Sequence, residues 1–383
     1  CVMRMKANEG FPQSRVCIFS QTWSSGGIES FFNNLLHYMD LSHFEVDIVV
    51  EKLEESIFRG PLEELGVSFY ELSGSSHRIL ENYKEFARLI KRKKYDVLHL
   101  NVFQAQAMMY LRLAKNQGIP IRIAHSHNTE LRRSRTKWLK MLVHEGGKRL
   151  FSLYATDFWA CSQLAARFMF PKNVVKKEQY CFIPNGINLE KFQFNISTRR
   201  EKRKELHLEN TFVIGNIGRL CYQKNQRFLL NVFSDVYQNM PESRLLLVGD
   251  GDDRKELELY AESLGLLDSV IIYGTSNHVE ELLCAMDVFA FPSLFEGLGI
   301  AMIEAQASGL PVICSDQIPK ESVVSDDVYR ISVHDRDGWV KALLRMDGGR
   351  QKCLLENELL SNYDIRRLSR QMEKIYCRKR KNG

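Results

Sequence analysis

No stretch of this 383-residue chain approaches the roughly 20 consecutive apolar residues that a membrane-spanning helix needs. No apolar run follows the opening Cys1-Val-Met-Arg-Met-Lys6, as a secretory leader would require. The nine cysteines include no Cys-x-x-Cys pair and no His/Cys cluster at zinc spacing. An odd, unpatterned set argues against a disulfide scaffold or structural zinc and fits reduced, buried thiols, so a cytoplasmic protein is expected. Gly-x-Gly-x-x-Gly is missing, which removes the dinucleotide fingerprint. Internal repeats, low-complexity tracts and nucleic-acid modules are also lacking, and no nucleic-acid partner is expected. The net charge of +6 is modest for this length and suits an anionic ligand or membrane surface.

What is present is a chain too long for one ordinary core, with 44% hydrophobic and 26% charged residues. Short apolar runs at 15–20, 44–50, 67–72, 96–100, 121–125, 158–162 and 180–184 read as strands of a first half. Runs at 211–217, 244–248, 270–274, 287–292 and 311–315 read as strands of a second. Helical patterns fall between them, as at Phe31, Phe32, Leu35, Leu36 and Met39. Strands alternating with helices predict parallel sheets covered on both faces. Beyond the 311–315 run the alternation weakens until Leu368, Met372 and Ile375 mark a last helical face, followed by the basic run Arg378-Lys-Arg-Lys381.

The densest chemistry lies at 293–314. Glu296, Gly297, Leu298, Gly299 and Ile300 form a glycine loop between a strand and a helix, and Glu304 stands in the first turns of that helix. Glycines allow close backbone approach to a ligand, and a helix start offers unpaired N–H groups to a phosphate. A carboxylate there suits sugar or ribose hydroxyls; the plainer use of Glu304 is a surface residue favoured by the helix dipole. A second cluster follows the 211–217 strand, where Arg219 offers a planar fork and Lys224 a point charge to a diphosphate. Asp250 and Asp252 could suggest a metal, but they open a helix, where Asp favours the N-cap.

The first half repeats the strand–loop–helix theme at Ser24-Ser-Gly26-Gly27-Ile28-Glu29. Its fifth strand ends in His125-Ser-His127-Asn128, at the kind of strand end where open α/β sheets bind ligands. No third metal ligand stands at a recognisable spacing, so hydrogen bonding or proton handling is the reading for this pair. Beyond it, Arg132, Arg133, Arg135 and Lys137 lead into an amphipathic helix, a pattern suited to an anionic membrane surface.

Taken together, these motifs resemble the retaining glycosyltransferases of family 4, and most closely the bacterial exopolysaccharide and capsule branch. The resemblance runs in order through Gly26-Gly27-Ile28-Glu29, Ala124-His-Ser-His-Asn128, Asn185-Gly-Ile-Asn188, Gly218-Arg219 with Lys224, Val248-Gly-Asp-Gly251 and Glu296 to Glu304. It implies the α/β GT-B fold: two Rossmann-like domains whose parallel sheets face a central cleft. Residues 1–191 would bind the acceptor and 192–362 the donor, while 363–383 would form a helix and basic tail crossing back to the first domain. It further implies that Arg219 and Lys224 hold the donor's diphosphate, that Gly297, Leu298, Gly299 and Ile300 present backbone N–H groups to it, and that Glu296 contacts the transferred sugar. Glu304 would bind the ribose, and Gly26 and Gly27 would close over the phosphates from the other domain. The family has one histidine at the fifth-strand end where this chain has two; His127 is the first choice and His125 the second. Asn225, Leu298 and Asn188 replace the more common glycine, phenylalanine and aspartate.

The expected reaction is retaining transfer of a hexosyl group from a nucleotide-sugar, a UDP-sugar by preference. The expected acceptor is a glycan or polyprenyl-diphosphate-linked sugar of a bacterial surface polysaccharide, at the inner membrane face. No metal and no cofactor beyond the nucleotide-sugar co-substrate are expected. A nucleotide-sugar epimerase, a sugar phosphorylase or a non-catalytic partner subunit are the alternatives on the same fold.

Overall fold

The structure, a computed structural model, describes residues 14–24, 26–102, 104, 107–129, 137–346 and 357–378. The chain forms two compact units, Cys1–Gly186 with Ile365–Gly383, and Ile187–Asp364. The division falls at Ile187 rather than at 192. Ile187 is already held by the second unit, its N–H donating to the Tyr363 carbonyl at 2.8 Å beside a bridge to Asp364.

The first unit contains strands β1 (Ser14–Trp23), β2 (Phe44–Leu53), β3 (Ser68–Glu71), β4 (Val97–Val102), β5 (Ile121–Ser126), β6 (Asp157–Ala160) and β7 (Cys181–Phe182). They form one parallel sheet in the order β3-β2-β1-β4-β5-β6-β7. The central strands are apolar on both faces because helices cover both, so β4 is buried throughout. Strand order reverses between β1 and β4, which places a crevice at their carboxyl ends.

The second unit contains β8 (Phe212–Ile217), β9 (Ser243–Val248), β10 (Val270–Gly274), β11 (Val288–Phe291), β12 (Val312–Ser315) and β13 (Val328–Ile331). Their parallel order is β10-β9-β8-β11-β12-β13, with the reversal between β8 and β11. Periodicity did not announce β13. It is a short edge strand, half-buried and lacking an apolar run, and its pairing with β12 places it. The helix Ile196–Glu205 was also unannounced. Its N-cap is Asn195, whose side chain accepts from Ser197 N and Thr198 N.

The helix Ile365–Tyr376 returns to the first unit. Ile365, Leu368, Met372 and Tyr376 recur at helical spacing and are buried. Each contributes about 2 kcal/mol through lost apolar contact with water. Ser369 Oγ reaches the Leu35 carbonyl at 3.2 Å, and Tyr376 Oη meets His99 Nδ1 at 2.6 Å. Tyr376→Phe leaves that imidazole nitrogen buried without its partner. The substitution is expected to destabilise the unit by about 1–3 kcal/mol, read as a lower urea midpoint; an unchanged midpoint contradicts this role.

Candidate active site

The β8/β11 switch point carries the second unit's charged residues. The strand β8 exits at Gly218 and Arg219; the strand β11 exits at Pro292 and runs through Glu296 to the helix Ile300–Ala307. The two exits are laced together: Leu294 N donates to the Gln223 carbonyl at 2.9 Å, and Gln223 Nε2 donates to the Phe295 carbonyl at 2.9 Å. Lys224 Nζ lies 2.5 Å from Glu296 Oε1 and 4.9 Å from the Phe291 ring centroid. Their side chains keep only 17% and 8% exposure, so each is the other's main counter-charge in a poorly hydrated place.

Backbone geometry explains two local residue choices. Asn225 adopts φ 56°, the left-handed region that asparagine tolerates better than other non-glycine residues, so it replaces the family's glycine without changing the turn. Gly299 heads the helix at φ 84°, and a Cβ there would lie 3.0 Å from the Phe291 ring. Gly299 at its N-cap has no side chain to bond the first-turn amides. Its amides therefore present a positive end beside Lys224. Leu298 is buried, its carbonyl bonded by the Ser322 hydroxyl, which fixes the loop behind those amides.

Arg219 pairs with Asp252 at 3.1 Å, but both side chains are exposed, and such a pair is worth at most about 1 kcal/mol. A phosphate can displace it. Asp250 accepts from Gly251 N at 2.7 Å and lies 3.6 Å from Arg254. The expected N-cap use of these aspartates is corrected. The helix Arg254–Ser263 has Asp253 at its cap position, without a side-chain bond, because Asp250 and Asp252 are turned to other partners.

Glu304 is half-buried in the second turn of the Ile300–Ala307 helix. Desolvation pushes its carboxyl up to about 7; nearby Lys191 opposes the shift and Glu280 adds to it. The sequence singled out neither neighbour. Lys191 and Glu280 form an ion pair at 3.2 Å. Glu280 also belongs, with His278 and Glu281, to a group whose ligand atoms lie within 4.8 Å of one another. Acidic residues beside a histidine on a half-exposed helix start are ordinary ion-pair partners, and no metal role is assigned to them.

In the first unit, Gly26 caps the helix Gly27–Tyr38. The Glu29 side chain folds back onto this loop, accepting from Ser24 N at 3.2 Å. A Cβ at Gly26 would lie 2.7 Å from Glu29 Oε2. The chain's own carboxylate thus takes up the Ser24 and Gly26 amides of this loop. Burial raises that carboxyl above its ordinary range, against hydrogen bonds from backbone amides.

His125 and His127 are buried with ring centroids 3.9 Å apart, but their partners differ. His125 Nδ1 meets His99 Nε2 at 3.0 Å, and His99 is in turn held by Tyr376. His127 Nε2 meets Asn101 Oδ1 at 3.1 Å. Asn101 Nδ2 donates to the Phe19 carbonyl at 3.1 Å, and a carbonyl can only accept, so Oδ1 must face the imidazole. That places the proton on Nε2 and leaves the lone pair of His127 on Nδ1. Desolvation lowers the imidazole of His127 to about 3, against a bond from Asn185, so the ring is neutral at pH 7. Asn101 was missed in the sequence, although its place at the end of the fourth strand was the available signal. The basic residues Arg132, Arg133 and Arg135 lie outside the described residues, as does the side chain of Lys137 and most of the basic tail.

Comparison with known proteins follows this geometry. The family model described as Glycosyltransferase Family 4 matches residues 25–191, and that described as Glycosyl transferases group 1 matches residues 197–346. EpsF of Bacillus subtilis (strain 168), a protein assigned as a glycosyltransferase, is 31% identical over 315 residues, covering 81% of each chain. An Escherichia coli UDP-Gal:alpha-D-GlcNAc-diphosphoundecaprenol alpha-1,3-galactosyltransferase is 28% identical over 295 residues, 73% of this chain and 74% of that one. Among solved structures, Anabaena HepE in complex with UDP and glucose superposes with a TM-score of 0.76 at 18% identity, covering 95% of this chain and 99% of that one.

The raised Glu304 carboxyl has a stability consequence. The folded chain holds this proton up to about pH 7, whereas the unfolded chain loses it in the ordinary carboxylate range. Stability contributed at this position therefore falls as pH rises between those values and stays lost above them. Glu304→Gln should melt on the order of 3 °C higher than the parent at pH 8 and at the same temperature near pH 4. An equal gain at both pH values contradicts the shift.

Proposed function

Because the chain belongs to the family 4 glycosyltransferases of GT-B fold, we propose that it moves a hexosyl group, with retention, from a UDP-sugar to a lipid-linked or glycan acceptor in surface polysaccharide synthesis. One observation carries the reading: a nearly buried lysine, paired with Glu296, stands with a glycine-capped helix start at a sheet's topological switch point. A nucleoside diphosphate leaving group develops negative charge, and that is the charge Lys224, Arg219 and the amides at 297–300 are built to meet. These groups supply the stabilisation without a metal. Displacement of the Lys224–Glu296 pair by a phosphate leaves the Glu296 carboxylate available to the sugar's hydroxyls. Glu304, once ionised, accepts from ribose hydroxyls. His127 is preferred over His125 as the histidine that touches a substrate, since it keeps 6% exposure whereas His125 is fully buried and engaged with His99.

UDP is the preferred nucleotide because HepE, sharing the fold, binds it and the Escherichia coli relative uses a UDP-sugar. That relative's undecaprenyl-diphosphate acceptor supports a lipid-linked acceptor for this chain. Peripheral membrane attachment through Arg132, Arg133, Arg135 and Lys137 is part of the proposal. The helix that follows supports it, with Trp138, Leu139, Leu142 and Val143 exposed. No described helix is long and apolar enough to cross a membrane.

Lys224→Ala is expected to lower sugar release from a UDP-sugar by at least about 100-fold, with circular dichroism unchanged. Near-normal turnover would sink the phosphate assignment. Conversion of the UDP-sugar to an epimer without any acceptor would favour the epimerase reading instead.

A further inference from the structure

The first unit has its own switch point, and a small, mostly apolar cavity with a few polar groups sits there. It is lined by Phe19 and Gln21 of β1, Glu51 of β2, Asn101 of β4, and Gln104 and Tyr110 beyond it. The β1–β2 register, Ser20 against Val50 and Thr22 against Lys52, sets Gln21 beside Glu51 at the carboxyl edge of the sheet. Glu51 is 6% exposed. Its Oε1 accepts from the Tyr110 hydroxyl at 2.5 Å, and its Oε2 meets no donor. Burial raises this carboxyl, against the bond from Tyr110 and the influence of the nearby Gln21 amide, which makes no bond to Oε2. Leaving such an oxygen unsatisfied costs about 1–3 kcal/mol, more if it is charged, so the position calls for a donor from outside the protein.

The size and lining say which donor. The room left is about that of one water-sized group, too small for a sugar ring. Phe19 and Tyr110, with ring centroids 4.2 Å apart, make one wall apolar, while the Gln21 and Gln104 amides make another polar. One carboxylate is too few anionic ligands for a divalent cation, which takes six or more oxygens. A CH2OH group matches on both counts: a methylene for the aromatic wall and an O–H for the carboxylate. Asn101, which lines this cavity, is the residue that orients His127.

We propose that this cavity is a binding subsite for the hydroxymethyl arm of the acceptor sugar, with Glu51 Oε2 accepting its hydroxyl hydrogen. The proposal rests on the glycosyltransferase reading. The donor's diphosphate and nucleoside are assigned to the second unit, which leaves this cavity for the acceptor. Glu51 is then a specificity residue, distinct from His127.

The test uses the full chain saturated with UDP and two pairs of probes that differ only by this arm: methyl α-glucopyranoside against methyl α-xylopyranoside, and methyl α-galactopyranoside against its arabinopyranoside counterpart. Binding is read by saturation-transfer NMR. In at least one pair the probe with the arm should bind about tenfold or more tightly, the worth of a hydrogen bond to a charged group. Glu51→Gln should erase that preference with UDP affinity unchanged; Gln21→Ala, a milder change of the same lining, should weaken it. Equal binding within both pairs, no binding of any probe, or a preference that survives Glu51→Gln overturns the proposal and identifies the cavity as a water site. Failure of UDP to bind the parent chain is separate: it removes the glycosyltransferase reading itself and this proposal with it.

Discussion

The second unit's candidate site depends on the ion pair between Lys224 and Glu296. Each side chain is mostly withdrawn from water, and each makes the other's burial tolerable. Removing one partner of such a pair costs about 3–5 kcal/mol, because the survivor stays desolvated and uncompensated. A phosphate that approaches Lys224 supplies a replacement anion and frees Glu296 for neutral hydroxyls. The lacing of the 219–225 and 292–297 segments through Gln223 and Asn225 holds both charges in reach of the glycine-capped helix.

The first unit shows the complementary device, a neutral polar network. Desolvation holds His99, His125 and His127 in their uncharged forms. Uncharged imidazoles are useful only if their tautomers are fixed, and here Asn101 fixes His127 through its own bond to the Phe19 carbonyl. The contribution of the C-terminal helix is then more than packing. Tyr376 anchors His99 and through it His125, so the last described helix reaches the polar core at the sheet's carboxyl end.

Much of this was legible in the sequence, for physical reasons that differ by element. The central strands among the twelve expected, such as Val97–Val102, were visible because burial on both faces leaves uninterrupted apolar runs; the edge strand Val328–Ile331, half in water, leaves none. Lys224 and Glu296 could be assigned to one ligand from their places after two strands, but their contact could not, since 72 residues separate them. The inward fold of Glu29 was hidden because a carboxylate at a helix start looks the same whether it meets solvent or the loop before it. Asn101 was passed over because an asparagine after an apolar run reads as a strand stop. Its role comes from the carbonyl of Phe19, on a neighbouring strand, and backbone groups have no sequence signature. The basic run Arg132, Arg133 and Arg135 was legible as a pattern, and it lies outside the described residues.

The central claim is that the second unit's cations and carboxylates form a nucleoside-diphosphate site. The most direct measurement is calorimetric titration of the pure protein with UDP beside GDP and ADP, repeated with Lys224→Ala and Glu304→Gln at pH 6 and pH 8. The account predicts that UDP binds in preference, that Lys224→Ala loses at least about tenfold in affinity, and that affinity rises between the two pH values in the parent but not in Glu304→Gln, as the carboxyl titrates near 7. Binding that ignores Lys224, or no binding of any nucleotide, would contradict it.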